Sequence, residues 1–79
     1  PVSGNFSTSR NQILVCVNAA PIEITLDPDA VDGDELHILR TDAEVTEKGV
    51  VNGVADRTIN VVDWSDHLVY TDAAGWRVI

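Results

Sequence analysis

Between Ile22 and Thr41 the chain reads IEITLDPDAVDGDELHILRT, and this stretch limits the fold more than any other. Ile22, Ile24 and Leu26 alternate with Glu23 and Thr25, the two-residue period of a half-buried strand. Pro28, Gly33 and the carboxylates of Asp27, Asp29, Asp32, Asp34 and Glu35 cannot continue that strand. Leu36 to Leu39 resumes an apolar run. The pattern predicts two strands paired around an acidic loop, a framework on which the other strands register. No segment carries the i, i+3, i+4, i+7 apolar stripe of a stable helix.

The rest of the chain extends the same reading. Ile13 to Val17, ILVCV, is continuously apolar and β-branched, which predicts a strand covered on both faces. Pro21 tolerates the start of the next strand, where its missing N–H is not needed. Asn52-Gly53 is the strongest hairpin signal. Further strands are expected over Arg57–Trp64, His67–Thr71 and Trp76–Ile79. The fold class is all-β: a compact six- or seven-stranded antiparallel sandwich, barrel or prism-like module. Residues 13–79 form its single domain. Residues 1–12, small and polar except for Phe6, form a linker or an N-terminal arm that orders against something else.

With 79 residues the chain makes one small domain. A domain of this size buries only roughly 60% of its unfolded surface, and such chains usually need a disulfide, a metal or oligomerisation. One cysteine forbids an internal disulfide, and two histidines with no Cys/His spacing give no structural zinc motif. Oligomerisation remains, and a strand apolar on both sides points the same way. Ile13, Leu14, Val15, Cys16 and Val17 are therefore the candidate subunit interface. Aspartate at either Leu14 or Val15 is expected to be severe. The net charge of −8 is opposite to that of a nucleic-acid binder and suits solubility. No apolar run approaches the length of a membrane-spanning helix. Pro1 in place of an initiator methionine suggests a piece of a longer product.

Catalytic signatures are lacking. The acidic loop fails as an EF-hand because Val31 and Asp32 stand at its fifth and sixth positions; a turn whose Asp side chains bind nearby backbone N–H groups is the expected alternative. His37 and His67 have no nucleophile motif to serve. Cys16 reads as a small buried hydrophobe. Trp64, Tyr70 and Trp76 are the candidate glycan or receptor contacts, because aromatics on a β surface stack on sugar rings; the other reading makes them core anchors. No catalytic residue, metal ligand or cofactor is assigned.

From Ile13 to Ile79 the chain resembles the small all-β modules of tailed-bacteriophage tail fibres, tailspikes and appendages. Four pieces in order carry the resemblance: the strand Ile13–Val17; the alternating strand into the turn Leu26-Asp27-Pro28; Gly33-Asp34-Glu35 leading into Leu36–Arg40; and the terminal Gly75-Trp76-Arg77-Val78-Ile79. The family often has Leu-Pro where this chain has Leu26-Asp27-Pro28, and residues 44–55 have no clear counterpart. The resemblance implies a homotrimer located in the virion, at the tail or a surface appendage. Its partners would be other virion proteins and a cell-surface glycan, and its role structural rather than enzymatic. A carbohydrate-binding module of a secreted bacterial protein and a capsid decoration protein are the competing readings.

Overall fold

The computed structural model describes residues 1–79 and contains no helix. Its strands are β1 (Phe6–Ser7), β2 (Gln12–Cys16), β3 (Ile22–Thr25), β4 (Glu35–Arg40), β5 (Val45–Val51), β6 (Val54–Ile59), β7 (Ser65–Thr71) and β8 (Gly75–Val78). They form one curled, open half-barrel sheet in the order β1-β3-β5-β8-β7-β4-β2, with β6 paired to β5 off that path.

The antiparallel-only expectation is overturned. β1–β3, β2–β4, β3–β5 and β5–β8 pair in parallel, whereas β4–β7, β5–β6 and β7–β8 pair antiparallel. The cause is the path of the chain. It shuttles between two half-sheets, laying β1, β3, β5 and β6 in one and β2, β4, β7 and β8 in the other. A strand reached by crossing over enters in the same direction as its neighbour, which a tight hairpin cannot do.

The same path corrects the expected pairing of the strands around the acidic loop. β3 and β4 are separated in the sheet by β5, β8 and β7. The acidic loop is a crossover between halves and not a hairpin. Its carboxylates do bind backbone N–H groups: Asp29 N donates to Asp27 Oδ1 at 2.8 Å, and Val31 N to Asp34 Oδ2 at 3.0 Å. The Val31 amide and then the Arg10 guanidinium, 2.9 Å away, hold the Asp34 carboxyl below its ordinary range.

Each half contributes equally to one core. Ile22, Ile24, Leu26, Val45, Val51 and Ile59 come from the first half, and Leu14, Cys16, Leu36, Ile38, Leu68 and Trp76 from the second. Fully burying a side chain of the Leu or Ile type is worth about 1.5–3 kcal/mol, so these contacts clamp the halves together. At the seam β5 and β8 share one registered pair, Val51 with Trp76. Asn52 doubles that seam: its N–H donates to Trp76 O at 2.9 Å and its Oδ1 accepts from Val78 N at 3.1 Å. Asn52 and Gly53, both at positive φ, close the β5–β6 hairpin as the sequence predicts.

The first residues lie against the sheet. β1 pairs with β3, Val2 bridges Cys16, and Gln12 already belongs to β2. The strand expected over Arg57–Trp64 stops at Ile59. Beyond it Asp63 takes φ 63°, and Arg40 holds the turn from β4, its N–H donating to Trp64 O and its O accepting from Asp63 N. Val61 and Val62 are therefore exposed turn residues.

Candidate functional site

Four regions hold the side chains from which a function can be argued. The first is the outer surface of β2. Strand alternation sends Leu14 and Cys16 inward and leaves Ile13, Val15 and Val17 exposed, Ile13 at 76%. In a single chain the ILVCV strand is thus covered on one face, not both. The parallel register sets Ile13 beside His37 and Val15 beside Leu39, which continues the outward surface onto β4. This row leaves apolar side chains in solvent on a small acidic domain. Cys16 is fully buried, and burial pushes its thiol up, away from the reactive thiolate.

The second region concerns the aromatics, which the fold does not bring to one surface. Trp76 is 6% exposed and belongs to the core. Tyr70 packs edge-on to it at 5.4 Å. Trp64 alone stands half in solvent, at the rim of a hollow of about 260 Å³ lined also by Arg57, Ile59 and Asn60. Its indole N–H is committed, donating to Asp66 Oδ1 at 2.9 Å.

The third region lies under Trp64 and was not anticipated. Glu47 from β5 and Asp66 from β7 are both buried on the inner side of the sheet, at 0% and 1% exposure. Arg57 from β6 reaches Asp66 Oδ2 at 2.8 Å, whereas its Nε is 3.8 Å from Glu47 Oε1. As a carboxylate Glu47 would have no hydrogen-bond donor in reach. As a carboxylic acid it donates to Asp66. Burial first, and the neighbouring Asp66 charge second, push Glu47 up to about 8. Burial alone would raise Asp66 too, but hydrogen bonds from Arg57, Trp64 and Glu47 outweigh it and hold that carboxyl low. Glu47 is therefore favoured as the neutral acid beside a charged Asp66, which Arg57 meets at 2.8 Å. The arrangement is a buried polar network that ties β5, β6 and β7 together. The only trace in the sequence is the two-residue spacing of Val45 and Glu47, which sets both on the inward face.

The histidines also come together. His37 and His67 are registered partners on β4 and β7 and face the outer side of the sheet. Nothing in their separation along the chain signals this; it depends on the β4–β7 register.

The chain is thus an all-β open half-barrel with an apolar outer row. Compared with known proteins, it matches no family model and no curated relative.

Proposed function

We propose that this chain is a non-enzymatic virion component, a β-structured module of a bacteriophage tail fibre, spike or appendage, which assembles as a homotrimer and contributes to host attachment. The outward row of Ile13, Val15 and Val17 on β2 carries this reading. It leaves apolar surface in water that a second copy of the chain would cover. The order of sequence pieces that resembles phage fibre modules supplies the biological setting. The small size without a disulfide supplies the need for a partner.

The test is the mass in solution. Light scattering should give close to three times 8.5 kDa, and the melting temperature should rise with protein concentration. The two faces of β2 now separate two substitutions. Leu14→Asp places a charge in the core and should unfold the chain, whereas Val15→Asp should leave the strand content intact and dissociate the assembly. A concentration-independent monomer, with Val15→Asp silent, would remove this proposal.

One observation favours a second reading, a carbohydrate-binding module: half-exposed Trp64 beside the hollow that Arg57 lines. Glycan-array binding by the wild-type monomer, lost in Trp64→Ala, would move that reading to first place.

A further inference from the structure

Beside the apolar row of β2, the outer face carries a cluster of polar groups to which the proposed function assigns no role. Glu35 and His37 are two residues apart on β4 and so point the same way from the sheet. His67 lies directly opposite His37 on β7. Cross-strand partners hold their Cβ atoms about 4.5–5.5 Å apart. Strand register therefore brings three donors of the metal-binding type into one triangle.

The platform under them is fixed. The inward neighbours Leu36, Ile38, Asp66 and Leu68 are all at 0–1% exposure, so packing holds the backbones of β4 and β7. Asn11 Oδ1 accepts from Glu35 N at 3.0 Å and steadies the start of β4. On this platform one ligand atom from each of Glu35, His37 and His67 lies within 4.8 Å of the others. Donors bound at about 2.1 Å to one ion can lie at most about 4.2 Å apart, so the triangle closes by side-chain rotation that unstacks the two histidine rings, with the strands left in register.

The side chains themselves point the same way. His67 Nε2 and Glu35 Oε1 are 2.7 Å apart, sharing a proton that a cation would displace. The His37 and His67 rings are stacked, with centroids 3.9 Å apart and planes at 18°. Imidazole lone pairs lie in the ring planes, which here run nearly parallel, so one ring turns out of the stack when both meet one cation. The side away from His67 opens on a hollow of about 220 Å³ bordered by Asn11, Gln12 and Ile13, with room for a water as a further ligand. Two imidazoles with one carboxylate suit zinc and its first-row neighbours, not calcium or magnesium, which want oxygen alone.

We propose that Glu35, His37 and His67 form a binding site for one divalent transition-metal ion, with zinc as the best-matched occupant and water in the open position. All three donors come from one chain, so the site stands whether or not the chain trimerises. It would supply the staple that a small domain without a disulfide lacks.

The experiment is calorimetric titration of the full chain, first stripped with chelator, with zinc chloride. One ion per chain is expected, together with a higher melting temperature that chelator reverses. His37→Gln and His67→Gln should each weaken binding by more than the roughly 10–100-fold typical of losing an outer-shell partner of a ligand. Glu35→Gln should weaken it as well. Metal-free melting curves of the variants check that the fold is kept, as expected for side chains on the outer face. Cobalt(II) in place of zinc should give a visible absorption band that the histidine variants lose. Calcium at the same concentration should not raise the melting temperature. No binding at millimolar zinc would overturn the site, as would binding unaltered by both histidine substitutions. Because stoichiometry is counted per chain, a negative result here leaves the trimer untouched, and a monomer by light scattering leaves this site untouched.

Discussion

Asp66 and His67 are consecutive residues of β7 that face opposite sides of the sheet, and the clusters around them contrast. On the inner side Asp66 is sealed with Glu47, Arg57 and Trp64. On the outer side His67 stands 31% exposed beside Glu35 at 51%. Both clusters unite a carboxylate with a basic group at hydrogen-bond distance. Water makes the difference. Inside, a charge has no solvent to fall back on, so the cluster settles its protons by shifting Glu47 to the neutral acid. Outside, solvent screens the pair and leaves its lone pairs free for an incoming ion. The same chemical groups thus become a structural lock on one face and a candidate ligand set on the other.

The contrast predicts its largest effect at Asp66. Asp66→Ala leaves Arg57 without its closest partner and Trp64 N–H and the Glu47 proton without acceptors. Breaking a fully buried pair by removing one member typically costs about 3–5 kcal/mol; here Asp66 is buried but Arg57 is 38% exposed, which sets the lower end of that range. Chemical denaturation at neutral pH should show a loss of that size. A loss under 1 kcal/mol would mean that the inner cluster is as loosely coupled as the outer one.

The next effect is a pH dependence with a definite sign. Glu47 is raised from 4.5 to about 8 in the fold, so between those values the native state holds a proton that the unfolded chain has released. Stability from this group is full below pH 4.5 and declines as pH rises through 8. Asp66, held low, acts in the opposite sense: its contribution is present above its unfolded value and is lost as pH falls through the folded one. Glu47→Gln keeps an N–H donor for Asp66 and removes the proton uptake. The gain at pH 7 should be on the order of 3 kcal/mol, from 1.36 kcal/mol per pH unit of displacement. Melting temperatures between pH 5 and 9 should flatten in the variant relative to the parent. An equal slope in both proteins would show that Glu47 is not the titrating group.

These two clusters also mark where the sequence could be read and where it could not. Several strands are legible: IEIT, ELHILR and the Asn52-Gly53 turn lie within a residue or so of their predicted places, whereas β5 and the start of β6, in a stretch broken by Gly49 and Gly53, carry no clear strand pattern. Alternation even separates inner from outer residues, since Leu36 and Ile38 are buried as their spacing implies. Pairing is not legible. Alternation says which face a residue takes and nothing about which strand lies beside it. The Pro- and Asp-rich loop looked like a hairpin because turn residues serve a crossover equally well. The neighbourhood of Asp66 with Glu47, and of His67 with His37, follows only from the interleaved sheet order. The Arg57–Trp64 strand was overextended for a related reason. Val61 and Val62 have strand propensity, but the chain must turn there to let Arg40 and Asp66 take their partners.

The smallest expected effect lies on the outer face. Glu35→Ala removes the carboxylate that His67 Nε2 meets at 2.7 Å, a contact as short as any ion pair in the chain. Distance alone would rank it with Arg57–Asp66 at 2.8 Å. Exposure argues otherwise. Both partners stay hydrated after the cut, neither is left as an orphan in the core, and exposed pairs are typically worth about 0.2–1 kcal/mol. The stacked His37 ring continues to hold His67 in place. In metal-free buffer the substitution should therefore shift denaturation by less than about 1 kcal/mol, with the residual effect fading at high salt, as screening requires. A loss approaching that of Asp66→Ala would show that the outer cluster carries load in the folded chain. In that case the face opposite the core would have to be covered in solution, because only exclusion of water can make a pair at this distance so costly to break.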